Sequence, residues 1–156
     1  MLYRGVVVAA VSLAAVSYAT AVPTCDDVKS AIAASKKFPA WRAKKLSDKE
    51  WETTHTIFGF TKCNIVNSDF RCTRQTSGSQ GLAEVDYATF NKLIEGCLPA
   101  PRWKHTAETG SEPSHKFLSM DGESGYTSLT RNKEIKLGTL EFVETNWIQI
   151  TIFEHF

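Results

Sequence analysis

The sequence predicts an α+β fold: N-terminal helices and a cysteine-bridged β-hairpin, then a helix and a C-terminal antiparallel sheet of about four strands. Three observations carry that reading. Helix-start signals occur near residues 24, 47 and 86, each ahead of apolar residues at three- and four-residue steps. Beyond Pro101 the pattern changes to aromatic and β-branched runs punctuated by turn formers. Runs of helices followed by runs of strands argue α+β rather than an alternating α/β layout. Four cysteines stand behind a segment that reads as an export leader, so disulfides enter the folding problem from the start.

Residues 1–21, MLYRGVVVAAVSLAAVSYATA, carry Arg4 as their only charge, then an apolar run from Val6 to Val16 and a small-x-small site at Ala19-Thr20-Ala21. That is the template of a secretory signal peptide cleaved after Ala21. A membrane-spanning helix needs roughly 20 continuous apolar residues, and this stretch is interrupted by Ser12, Ser17 and Tyr18. Removing residues 1–21 from the 156 leaves 135, expected as a single disulfide-stapled domain spanning 22–156. Losing Arg4 from 18 basic residues leaves 17 against 17 acidic ones. A neutral surface gives no long-range attraction to nucleic acid or anionic lipid, so neither is an expected partner. No later segment is apolar enough to insert in a membrane, and no internal repeat is visible.

The first helix follows from Thr24-Cys25-Asp26-Asp27, close to a capping box, with Val28, Ala31 and Ile32 on one face; Pro39 forbids its continuation. Ser47-Asp48-Lys49-Glu50 is a full S-x-x-E box, which predicts a short helix over residues 48–57 with Trp51 on its buried side. Residues 58–66 and 70–73 then read as strands around Asn67-Ser68. A two-residue turn there sets Val66 opposite Asp69, Ile65 opposite Phe70, and Cys63 opposite Cys72 at a non-hydrogen-bonded pair. Cα atoms at such a pair lie about 4.5 Å apart, within disulfide reach. Serine at the second central position is the weak point of that turn. The reading predicts Cys63–Cys72 and, by elimination, Cys25–Cys97. Zinc is not expected: the cysteines lack close-set pairs, and no histidine lies three to five residues from another.

Residues 75–81 read as a loop. Asp86 is the expected N-cap of the next helix, with Val85 and Phe90 as a hydrophobic staple and Tyr87, Phe90, Ile94 and Cys97 as its buried stripe. If this helix packs antiparallel to the first, Cys25 and Cys97 meet. The expected sheet comprises residues 115–120, 126–130, 134–143 and 147–153, with turns at Asp121-Gly122, Arg131-Asn132-Lys133 and Glu144-Thr145-Asn146. The last strand alternates, placing Ile148, Ile150 and Ile152 on one face and Trp147 on the other.

No nucleophile elbow, His-Glu-x-x-His or phosphate loop is present, so no cofactor is expected. Two function classes remain. The first is a non-enzymatic exported binding protein of inhibitor or immunity type, whose partner is another exported protein. Its candidate binding residues are Trp41, Arg102 and Trp103 in proline-flanked segments, because Trp and Arg dominate interface hot spots. The second is a small secreted, nuclease-like hydrolase in which His105, His115 or His155 acts as acid or base with a carboxylate such as Glu141. Asp121, Glu123, Glu141 and Glu144 flank the late strands and give a weaker glycosidase alternative.

Overall fold

Thr24 starts the first helix, α1 (Cys25–Ala33), through a reciprocal cap: its hydroxyl accepts from the Asp27 N–H, and the Asp27 carboxylate accepts from the Thr24 N–H at 2.8 Å. The computed structural model describes residues 22–76, 80–110, 112–120, 126–137 and 142–153, so the expected leader, residues 1–21, lies outside the described residues. After α1 the chain tightens into a 3-10 helix, Ser35–Trp41, with Pro39 inside it. Proline lacks the N–H that α-helical continuation would use. The tighter turn brings Phe38 and Trp41 against Phe70, with ring centroids 5.5 and 5.3 Å away.

Among the described residues the strands form one antiparallel sheet of eight. They are β1 (Lys45–Ser47), β2 (Glu50–Glu52), β3 (Lys62–Val66), β4 (Asp69–Thr76), β5 (Trp103–Glu108), β6 (Ser114–Ser119), β7 (Tyr126–Leu137) and β8 (Phe142–Ile152). Their spatial order is β1-β2-β3-β4-β8-β7-β6-β5, with α2 (Gln80–Cys97) connecting β4 to β5. Each half of the chain therefore runs helix first, then four strands paired in succession. The halves meet where β4 lies antiparallel to β8, Phe70 opposite Ile152 and Cys72 opposite Ile150. The connectivity repeats although no sequence repeat announces it.

Strand alternation points Ile65, Phe70, Cys72, Phe117, Leu129, Ile148, Ile150 and Ile152 to one face. There they form a single core with Val28 and Ile32 of α1 and Phe90 and Ile94 of α2. Each large side chain buried this way contributes roughly 1.5–3 kcal/mol relative to exposure. The two disulfides are Cys63–Cys72, across the β3–β4 ladder with Cα atoms 4.1 Å apart, and Cys25–Cys97, joining the start of α1 to the end of α2 at 5.1 Å. In the β3–β4 turn only Asn67 takes a left-handed φ, +57°, a conformation asparagine tolerates. Ser68 does not need one, so the absence of glycine there is harmless.

The structure corrects several expectations. The sheet is twice the size expected, and the helices do not form an N-terminal block. Residues 48–57 are not helical: they supply the turn and second strand of the β1–β2 pair, followed by irregular chain. Ser47 Oγ accepts from the Lys49 N–H at 3.3 Å, a local bond that competes with a helix start. Trp51 pairs with Ile65 and lies under the Arg42 guanidinium, 4.0 Å from its ring. Gln75 and Thr76 belong to β4, and Gln80 and Gly81 already belong to α2, so little of the expected loop remains. Asp86 is inside the helix, ion-paired to Arg74 at 3.6 Å, and Val85 is exposed, so there is no staple.

At the C-terminal end, the expected turns at residues 131–133 and 144–146 are continuous strand, because β7 and β8 pair without interruption from Thr127↔Ile152 to Leu137↔Phe142. An unbroken ladder outweighs the local turn preference of asparagine and lysine. β5 was not expected, and the turn at Asp121-Gly122 lies outside the described residues.

Candidate functional site

Two open cavities lie on opposite flanks of α1, and each is walled by one of the tryptophans singled out from the sequence. The first, of about 270 Å³, is bounded by Lys29 and Ile32 of α1 and by Leu98, Pro99, Arg102 and Trp103 from the chain that leaves α2. The second, of about 320 Å³, is bounded by Asp26 and Asp27 of α1 with Trp41, His55 and Phe70. Both tryptophans are partly buried and pack against the core, so each also seals its edge. Trp41 stacks face to face with His55, centroids 3.9 Å apart and planes 3° from parallel. Arg102 and Lys29 are exposed at the first cavity.

The histidines do other work. His105 on β5 lies with Nε2 2.6 Å from the Leu98 carbonyl; a carbonyl only accepts, so Nε2 carries the hydrogen and caps the C-terminal end of α2. Its ring stands edge-on to Phe117. His115 on β6 lies with Nδ1 3.0 Å from the Tyr87 hydroxyl of α2 and Nε2 3.7 Å from the Glu95 carboxylate. Burial pushes the Tyr87 phenol up to about 12, with a smaller opposing pull from Arg131, so the hydroxyl keeps its proton at neutral pH. Two ion pairs tie the other end of α2 to the sheet: Arg131–Glu84 at 2.9 Å and Arg74–Asp86 at 3.6 Å.

His105 and His115 flank Phe117 on one face of the sheet, because the register sets His105 opposite Phe117 and His115 opposite Ala107. His155, Glu141, Asp121 and Glu123 lie outside the described residues, while Glu144 and Trp147 are placed within β8. Among the described residues no cluster of His, Cys, Asp or Glu is arranged to hold a metal ion.

Lys29, Tyr87 and Glu95 were not anticipated as site residues. Lys29 had a signal: it lies one helical turn beyond Cys25, as Arg102 lies shortly beyond Cys97, so the Cys25–Cys97 pairing already implies their approach. What fold and geometry define is a disulfide-bridged α+β domain with two aromatic-walled cavities. Comparison with known protein families, with curated proteins and with solved structures finds no match.

Proposed function

We propose that this chain is a small exported binding protein, non-enzymatic and of inhibitor or immunity type, that acts on another exported protein. The observation that carries this reading is the placement of Trp41 and Trp103, each in the wall of a solvent-open cavity beside the same helix. Partly buried aromatic residues at the rim of a recess match the composition of interface hot spots. His105 and His115 are occupied in fastening α2 to the sheet, and His55 is stacked on Trp41. Two disulfides are consistent with an oxidising compartment, and the leader-like residues 1–21 support export to the periplasm or the medium. Among the described residues, no helix is long and apolar enough to cross a membrane.

The test is capture of exported host proteins by the oxidised chain. Trp41→Ala or Trp103→Ala is expected to weaken capture at least tenfold, whereas Lys104→Ala on an exposed strand position leaves it unchanged. A partner retained equally by both tryptophan variants overturns the reading.

One observation favours a second reading, a histidine-based hydrolase. The protonated Tyr87 hydroxyl, the His115 ring and the Glu95 carboxylate lie in series, an order suited to holding one imidazole tautomer. Turnover of a phosphodiester or ester substrate that disappears in His115→Gln, yet survives in Trp103→Ala, selects this reading over the first.

A further inference from the structure

The two edges of the sheet are finished differently. β1 is three residues long, its register with β2 shifts between Lys45 and Ser47, and Lys44 and Lys45 open it. Short length, an irregular register and lysines blunt an edge against further pairing. β5 closes the other end with six residues in unbroken register, from Trp103↔Ser119 to Glu108↔Ser114, and every residue after Trp103 is exposed. The Met120 N–H donates to the Arg102 carbonyl at 2.9 Å, so these two residues are a hydrogen-bonded pair. Facing pairs alternate along an antiparallel ladder. Lys104, Thr106 and Glu108 therefore bond inward to β6, while Trp103, His105 and Ala107 turn their N–H and C=O groups outward. Among the described residues no strand lies beyond β5 to receive them. The side chains leave this edge open: the His105 ring is held on the Leu98 carbonyl, and Ala107 is small.

We infer that the β5 edge pairs antiparallel with β5 of a second copy of this chain, about a two-fold axis at Thr106. Outward groups must meet outward groups, which leaves two registers of greatest overlap, over residues 103–107 or over residues 104–108. The first is centred on His105 and sets Lys104 opposite Thr106. The second is centred on Thr106 and sets Lys104 opposite Glu108 on both sides of the axis, at non-hydrogen-bonded pairs, where side chains come closest. Lys104 is exposed and makes no ion pair among the described residues, so the second register gives it the carboxylate it lacks. Glu108 already accepts from Ser114 Oγ at 3.1 Å and from Lys116. The two oxygens of a carboxylate offer about four acceptor positions, so a further cation joins that pair without displacing it. On the other face of the strand the His105 ring meets Ala107, large against small. The contact is isologous, the same patch serving both copies. It uses the backbone of β5 rather than either cavity, so it stands apart from the binding-protein reading.

The experiment is sedimentation equilibrium of the full chain, produced through an oxidising export route, from micromolar to millimolar concentration. A monomer–dimer equilibrium is expected, weakened by added salt. Ala107→Pro removes an outward N–H that the ladder to β6 does not use, so the fold is retained and dimerisation falls at least tenfold. Lys104→Glu, at an exposed position, sets carboxylate against carboxylate on both sides of the axis. It should weaken the dimer about fivefold to thirtyfold, with recovery when it is mixed with Glu108→Lys. Thr106→Cys brings the two introduced thiols to a pair whose Cα atoms lie about 4.5 Å apart, within disulfide reach. The oxidised dimer should be linked there, with Cys25–Cys97 and Cys63–Cys72 intact. A chain that stays monomeric at millimolar concentration, or a dimer indifferent to both Ala107→Pro and Lys104→Glu, overturns the inference. A monomer whose β5 amides respond only to an extended peptide of another protein assigns the edge to a foreign strand and overturns it equally.

Discussion

Removing the two disulfides one at a time should destabilise the protein by clearly different amounts, in an order set by chain length. Cys25–Cys97 joins residues 72 apart in sequence, and in the chain-entropy account a loop of that size corresponds to about 4.4 kcal/mol at 25 °C. Cys63–Cys72 joins residues 9 apart, for which the same relation gives about 2.6 kcal/mol. Cys63, Cys72 and Cys97 are all buried, so replacing each pair with alanine removes similar small volumes and leaves the entropic difference, about 2 kcal/mol, exposed. Urea unfolding of Cys25→Ala/Cys97→Ala and of Cys63→Ala/Cys72→Ala measures both losses against the bridged protein. The first variant should also show the larger m value, because its unfolded chain expands more. Against a typical stability of about 5–15 kcal/mol, the first loss approaches the threshold of folding and the second does not. A hairpin variant less stable than the helix-bridge variant would refute the reasoning.

Alkaline pH should weaken the fold through Tyr87. Its phenol titrates near 12 in the folded protein against an ordinary 10, so the neutral form is the one the fold favours. That contribution, on the order of 2–3 kcal/mol, is whole below pH 10 and is lost as pH rises toward 12. The stability difference between the parent and Tyr87→Phe, measured by urea midpoints from pH 8 to 12, should therefore shift in favour of the variant above pH 10, and a constant difference would contradict the assignment. At the β3–β4 turn, Asn67→Gly should change thermal stability by less than about 1 kcal/mol, whereas Asn67→Val should lose roughly 1–2 kcal/mol at φ +57°. Equal midpoints for the two variants in a thermal scan would show that this turn is not strained by a side chain.

The parts of the fold that could be read in the sequence are those where one local signal decides. Turn length and alternation fix the β3–β4 register, Cys63 opposite Cys72 included. Helical spacing marks Tyr87, Phe90, Ile94 and Cys97 as a buried stripe, which they are. The failures occur where tertiary pairing overrules local preference. β5 is exposed along nearly its whole length, so it shows no apolar alternation to detect. Ser47-Asp48-Lys49-Glu50 serves a helix start and a strand turn equally well in chemistry, and the neighbouring Ile65 and Arg42 decide between them. Asn132 and Asn146 look like turn residues yet sit in mid-ladder, opposite Trp147 and Lys133. For the candidate site, Trp41 and Trp103 were visible as aromatic residues in constrained segments. Their placement in cavities on different flanks of α1 was not, because it depends on which side of a helix each residue packs against.

The two halves of the chain, each a helix followed by its own four-strand meander, meet along β4 and β8, a ladder of the kind that two separate molecules also form. Such a seam invites swapping, in which one molecule's first half docks on another's second half. Cys25 belongs to the first half and Cys97 to the second, so their bridge is a covalent clasp that commits the halves of one molecule to each other. With the bridge closed, the halves of one molecule stay tied to each other; once it is reduced, no cross-link between α1 and α2 prevents two molecules from trading them.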